Sequence, residues 1–269
     1  MNIQYFKYNS IITFLFLCIS CDLFNFSPHE VPFISENEKN LNTKNIGKIS
    51  EINIANTDSF CFAVIADTHT EYSILEDAVR QINKDENILF VIHLGDLTDG
   101  GQYNEFHWTN DKMSKLIIPY IMTIGNHDYL SNGKLIYDEM YNSSSFTFAF
   151  NKTKFVCFDN VIWENNNTYP DFNWLNNNLS DYKFYNHVFV FSHIPPFSDQ
   201  FDEYCESAFN NILASNNVKL SLHGHVHCYT FEQHYNSNTW YFTADDIKGR
   251  SYYKISVTDS AFNVQSVPF

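Results

Sequence analysis

Short apolar runs alternate with amphipathic stretches along most of this chain. Phe60 to Ala66 (FCFAVIA) and Leu89 to Leu94 (LFVIHL) are too short for buried helices and are bounded by polar residues, so they predict buried strands. The same reading applies to Tyr120–Ile124, Lys154–Phe158, His187–Phe191 and Val218–Leu222. Between the first two strands, Ile74, Leu75, Ala78, Val79 and Ile82 recur at helical spacing, which predicts a helix over Ser73 to Asn83. Gln102–Leu116 and Cys205–Ala214 predict two more helices, and the Asn runs at 165–167 and 176–178 predict loops. From Tyr229 onward, aromatic and β-branched residues alternate in short segments, the pattern of antiparallel strands. Strand–helix alternation followed by such strands predicts an α/β, layered α+β architecture.

The N-terminal part lacks this periodicity. Lys7 followed by the apolar run Ile11 to Ile19 is too short to span a bilayer, and it ends in Cys18-Ile19-Ser20-Cys21. That ending resembles a bacterial lipoprotein signal, which implies removal of residues 1–20, a lipid on Cys21 and an extracytoplasmic, membrane-anchored protein, periplasmic or at the cell surface. The alternatives are an ordinary cleaved signal and a secreted protein, or an uncleaved short anchor. Residues 21–58 are dense in Asn, Glu, Lys and Ser and read as a polar tether, with a first edge strand at Ile49–Ile54. The folded domain is then 59–269, enough for one sizeable core.

Charge narrows the partners. With 31 acidic against 16 basic residues the formal net charge is −15, which disfavours nucleic acid. Four cysteines remain in the domain, Cys61, Cys157, Cys205 and Cys228; their pairing is open from sequence, and none has zinc-site spacing.

The candidate chemistry lies at the ends of the predicted strands. Asp67 and His69 follow the first, and Gly95, Asp96 and Asp99 the second. Gly125-Asn126-His127-Asp128 follows the third, His193 ends the His187 strand, and Gly224, His225 and His227 follow the Val218 strand. Taken singly, these are turn-like motifs: Asp-x-His could be a capped turn and Gly-Asp a plain one. Taken together, five strand ends each deliver Asp, Asn or His to the edge where ligands bind in α/β sheets. Mixed imidazole, carboxylate and amide donors suit transition metals. His93 and His223 lie in or at the ends of apolar strands and read as buried structural rings, while His29, His107, His187 and His234 have no motif support.

The ordered series Asp67-x-His69, Gly95-Asp96-x-x-Asp99, Gly125-Asn126-His127-Asp128, His193 and Gly224-His225-x-His227 resembles the signature of the calcineurin-like metallophosphoesterases, over about residues 60 to 245. The resemblance implies a two-sheet β-sandwich flanked by helices, with a dinuclear metal site at one end. It also implies that Asp67, His69 and His227 hold one metal, that Asn126, His193 and His225 hold the other, and that Asp96 bridges them. His127 would then be the catalytic histidine and Asp128 its orienting partner. Purple acid phosphatases carry a tyrosine ligand where this chain has Asp99, so a tyrosinate-bound ferric centre is not expected.

Phosphoester chemistry agrees with these roles. Two cations about 3.5–4 Å apart offset phosphoryl charge and activate water, and a general-acid histidine contributes about 10²–10⁴-fold. The expected partner is a small phosphoester, a phosphodiester ahead of a monoester by similarity to the compact cyclic-nucleotide-phosphodiesterase-like branch. The expected cofactors are two divalent or transition metal ions, Mn, Fe, Zn or Co. The competing reading is a non-catalytic, surface-anchored metal- or ligand-binding protein on the same fold. Substrate choice would lie in the loops Glu71–Tyr72, Gly100–His107, Tyr129–Lys134, Trp163–Asp171 and Pro195–Tyr204.

Overall fold

The computed structural model describes residue 31 and residues 34–54, 59–235 and 237–269. The signal segment and Cys21 lie outside the described residues. The elements in chain order begin with α1 (Leu41–Glu51), β1 (Ser59–Ile65), α2 (Tyr72–Ile82), β2 (Ile88–His93) and α3 (Tyr103–Met113). They continue with β3 (Tyr120–Met122), α4 (Gly133–Tyr141), β4 (Phe146–Phe150), β5 (Thr153–Cys157), α5 (Phe172–Leu179) and β6 (His187–Phe191). The rest are α6 (Glu203–Ser215), β7 (Leu220–His223), β8 (Thr230–Gln233), β9 (Trp240–Thr243), β10 (Ser251–Thr258) and β11 (Phe262–Pro268).

Two mixed sheets result, one ordered β11-β10-β1-β2-β3 and the other β4-β5-β6-β7-β9-β8. Period-two alternation sorts their side chains into layers. Phe62, Val64, Phe90 and Ile92 of the first sheet meet Phe148, Phe155, Phe189, Leu220 and Phe242 of the second in a core between the sheets. Phe62 stacks on Phe90 at 5.2 Å between ring centroids, and Phe155 meets both edge-on at 5.5 and 5.6 Å, the arrangement that ring quadrupoles favour. The intervening residues Ala63, Ile65 and Val91 point the other way, against α2, α3 and α4. On the far side Val156, Val188 and Val190 pack on α5 and α6. The expected helix-flanked sandwich is therefore present, and every apolar strand named from sequence is a strand, within one to two residues at most ends.

Three local expectations fail. Leu41–Glu51, expected as polar tether and edge strand, is a helix with Leu41, Asn42, Asn45 and Ile49 buried. Its Asn42 amide receives the Met122 N–H at 2.9 Å and donates to the Met122 carbonyl at 2.8 Å. The side chain thereby pairs the open edge of β3 as a neighbouring strand would. The Asn run at 176–178 lies inside α5, because Asp171 caps that helix at Trp174 N–H (2.9 Å) and Leu175 and Leu179 are buried on one face. Helix α4 and strand β4 were not anticipated. The four domain cysteines are free thiols, with Cys157 and Cys205 buried and Cys228 exposed. Among the described residues, no helix is long and apolar enough to cross a membrane.

Candidate dinuclear metal centre

The parallel strands β1, β2 and β3 of one sheet and β6, β7 and β9 of the other end on the same side of the sandwich. Their loops are laced by main-chain hydrogen bonds: Asp67 N–H to Gly95 O, and both Thr68 and His69 N–H to Asp96 O. Asp67, His69, Asp96, His225 and His227 all have φ between 47° and 72°, a left-handed conformation that costs non-glycine residues energy. Five such residues in one site mark backbone bent to aim side chains inward. Gly125 has no side chain for a related reason: a Cβ there would collide with the Asp96 main chain and carboxylate.

Two donor groups share Asp96. In the first, His227 Nε2 lies 3.3 Å from Asp67 Oδ1 and 3.4 Å from His69 Nε2, which is 3.8 Å from Asp96 Oδ2. In the second, His193 Nε2 lies 3.2 Å from Asp96 Oδ2 and 3.1 Å from Asn126 Oδ1, and His225 Nδ1 lies 3.0 Å from the same Asn126 oxygen. All seven residues expected as ligands are thus brought together, in the two sets the resemblance implied.

Hydrogen bonding fixes what these atoms carry. His69 Nδ1 faces the Thr98 carbonyl at 3.2 Å and His193 Nδ1 the Leu94 carbonyl at 2.8 Å. A carbonyl only accepts, so each Nδ1 bears a proton, which leaves each Nε2 as the atom that can turn a lone pair to an ion. The Asn126 amide donates its Nδ2 to Glu164 Oε1 at 3.1 Å, which turns its oxygen inward as well. Carboxylate, imidazole and amide donor atoms therefore converge on one another. Such a mixed set of donors fits two metal ions.

Charge within the cluster is partly balanced between its members. Burial would raise Asp96, but the His193 imidazole beside it holds the carboxyl well below the usual carboxylate range. Burial would lower His193, but Asp96 outweighs it and lifts the ring to about 9. Burial pushes His225 down to about 4, and the hydrogen bond to Asp67 raises His227. His93 and His223 are fully buried structural rings, as expected, each pushed down to about 3 by burial.

Asp128, expected to orient His127, has its carboxylate turned to other groups. Its buried carboxylate accepts from Leu97 N–H (3.1 Å), Thr98 N–H (2.9 Å), Thr98 Oγ1–H (2.8 Å) and Gly125 N–H (2.9 Å). Burial and then the Asp96 charge raise it to about 7, while these donors pull the other way. With both oxygens so engaged, Asp128 ties the loop of Asp96 to the loop of Asn126. The group that holds His127 is Asp99: its main-chain carbonyl lies 2.8 Å from His127 Nδ1, and its carboxylate stands 3.8 Å from that atom and 3.7 Å from His69 Nδ1. Asp99 does not cap α3; Glu105 does, by accepting from Gly100 and Gln102 N–H at 3.0 Å each. Sequence reading covered Glu164 only as part of the candidate loop Trp163–Asp171 and gave it no role of its own, since it has no motif and lies 38 residues from the amide it touches.

A helix-flanked double sheet whose strand ends gather two sets of metal donors defines a dinuclear metallohydrolase type of protein. The sequence pattern of the calcineurin-like phosphoesterases matches residues 61–229, and the chain belongs to that family. No curated protein matches it. Among solved structures, it is similar to a dimetal phosphatase from Danio rerio at 16% identity, covering 77% of this chain and 95% of that one with a TM-score of 0.64. It is also similar to GAP50, the anchor in the inner membrane complex of Plasmodium, at 16% identity, 78% and 84% coverage and a TM-score of 0.60. A purple acid phosphatase, PPD1, from yellow lupin (Lupinus luteus) seeds shares the fold at 12% identity and a TM-score of 0.63, over 79% of this chain and 52% of that one. These likenesses show the fold.

Proposed function

We propose that this protein hydrolyses a phosphodiester in preference to a phosphomonoester at the Asp96-bridged centre, and that a lipid on Cys21 tethers it outside the cytoplasm. The observation that carries the reaction is the convergence of side-chain oxygen and nitrogen atoms from Asp67, His69, Asp96, Asn126, His193, His225 and His227. Cations held there supply Lewis acidity, offsetting charge on phosphoryl oxygens and bringing the pKa of water to about 7.

The chain's own groups supply the rest. His127 keeps its Nδ1 proton on the Asp99 carbonyl and stands edge-on to His69, with 4.7 Å between ring centroids. Its Nε2 is therefore the atom that, when protonated, can hand a proton to the departing oxygen. Asp128 keeps the two ligand loops in register. The preference for a diester follows from charge: the carboxylates of Asp99 and Glu164 stand beside the centre, and among the described residues no Lys or Arg pairs with any of the seven donors. A diester brings one negative charge to such a site, whereas a monoester dianion brings two. The anchor rests on the Ser20-Cys21 ending of the apolar N-terminal run.

The test is metal content together with turnover of bis-p-nitrophenyl and p-nitrophenyl phosphate by residues 22–269, alongside Asp96→Ala and His127→Ala. Expected are two metals per chain, faster turnover of the diester, loss of one or both metals in Asp96→Ala, and kcat reduced about 10²–10⁴-fold in His127→Ala with both metals kept. Two bound metals with no turnover of either ester would refute catalysis in favour of a binding role. For the anchor, full-length protein is expected in the membrane fraction and Cys21→Ala outside it; equal partition of the two would refute it.

A further inference from the structure

Asn126 is the only one of the seven donors whose coordinating atom can be exchanged for a hydrogen-bond donor by rotation about one bond. Its side chain ends in an oxygen and an NH₂ of nearly equal size, and only the oxygen can hold a cation. Something must keep the amide from turning over. The ring nitrogens of His193 and His225, at 3.1 and 3.0 Å from Oδ1, cannot do so with an ion bound, because a nitrogen that gives its lone pair to an ion has no proton to donate to the amide oxygen.

Glu164 can. Its Oε1 accepts from Asn126 Nδ2 at 3.1 Å, which leaves Oδ1 facing the centre. The surroundings show that the carboxylate is placed for this contact. Asn126 is its only hydrogen-bond partner among the described residues, and its other oxygen, Oε2, is buried with no partner. A carboxylate serving general stability would have both oxygens satisfied, as Asp128 does. Glu164 stands in the turn after β5, next to the exposed Trp163, where a charged side chain could otherwise point to water. A charged acceptor also strengthens its hydrogen bond relative to a neutral one.

We infer that Glu164 is a positioning residue for the second metal: it orients the Asn126 amide so that the oxygen is presented to the ion shared with His193, His225 and Asp96. This rests on the ligand assignment made under Proposed function. Groups that orient metal ligands through hydrogen bonds typically contribute about 10- to 100-fold in metal affinity.

The experiment is calorimetric titration of metal-free residues 22–269 with Mn²⁺, for wild type, Glu164→Ala, Glu164→Gln and Asn126→Ala, with thermal unfolding of each metal-free protein. Glu164→Ala is expected to weaken one of the two Mn²⁺ ions about 10- to 100-fold and leave the other unchanged. Glu164→Gln, whose amide oxygen can still accept from Nδ2, is expected to recover most of that loss. Metal-free unfolding temperatures should agree with wild type. Wild-type affinity for both ions in Glu164→Ala, with one ion lost in Asn126→Ala, would overturn the role of Glu164 alone. Wild-type affinity in Asn126→Ala as well would overturn the ligand assignment beneath it. Equal weakening by Ala and Gln, or loss of both ions together with a lowered metal-free unfolding temperature, would also overturn the role, by showing a charge effect or a general structural one.

Discussion

Asp128 separates two accounts of the same sequence motif. If it orients His127, removing its carboxylate should slow turnover and leave the fold nearly untouched. In the structure it instead receives three main-chain N–H groups and one hydroxyl, from Leu97, Thr98 and Gly125, at full burial. Asp128→Ala would strand those three N–H groups. Each buried, unsatisfied donor costs about 1–3 kcal/mol. The Thr98 hydroxyl can turn to another acceptor, and water entering the space of the lost carboxylate recovers part of the rest, so the expected loss is about 3–5 kcal/mol. At about 2–4 °C per kcal/mol for a domain of this size, that lowers Tm by about 10 °C. The assay is thermal and guanidinium unfolding of metal-free Asp128→Ala beside His127→Ala, at a pH where the wild type is stable. His127→Ala, whose ring is partly exposed and holds one carbonyl contact, should lie within about 0.5 kcal/mol of wild type. A metal-free Asp128→Ala destabilised by less than about 1 kcal/mol, yet as slow in turnover as His127→Ala, would refute the structural account and restore the orienting one.

Three further outcomes are expected. Asn42→Ala removes the side chain that pairs the edge of β3; the Met122 carbonyl keeps the Tyr137 hydroxyl at 2.6 Å, but its N–H is stranded, so unfolding free energy should fall by about 1–3 kcal/mol, and an unchanged denaturation midpoint would show that α1 is not part of the domain. Removing metal with a chelator should lower Tm, because ions that bind only the folded state stabilise it by about 2.7 kcal/mol for each site held at 100 times its Kd; an identical Tm with and without chelator would refute the fit of the donor set. The buried His93, with Nε2 on Thr68 Oγ1 at 2.6 Å, is held down to about 3 by burial and then by His193, so the unfolded chain takes up a proton near pH 6.5 that the folded one refuses. The stability this represents is whole above pH 6.5 and declines as pH falls toward 3, by about 2 kcal/mol between pH 6.5 and 5. Metal-free His93→Asn should show a shallower acid slope by about one proton, and an equal slope would refute the assignment.

Much of this protein was legible in its sequence because the physics that places its site is local. Strands β1, β2, β6 and β7 are buried on both faces and therefore appear as unbroken apolar runs, and the ligand residues follow directly at their ends, where turn-forming Gly, Asp, Asn and His interrupt the runs. The order of those residues along the chain was enough to resemble one family, and it was the resemblance that implied two sets of donors. Elements whose stability comes from partners rather than from their own pattern were not legible. Helix α1 carries polar residues on its buried face because Asn42 completes a strand 80 residues away, and α5 tolerates three consecutive Asn because a cap and two leucines outweigh their low helix propensity. Roles decided by hydrogen-bond direction were equally hidden. Asp128 stands next to His127 in sequence but turns its carboxylate to the loop after β2, and the main-chain carbonyl of Asp99 takes the imidazole proton. Glu164 has no motif at all and becomes meaningful only where tertiary folding sets it against Asn126. The sequence by itself determined which side chains could hold cations, since that depends on residue type and on position at strand ends. Only the tertiary structure decided which atoms face the centre and which groups hold them there, since that depends on contacts between residues far apart in the chain.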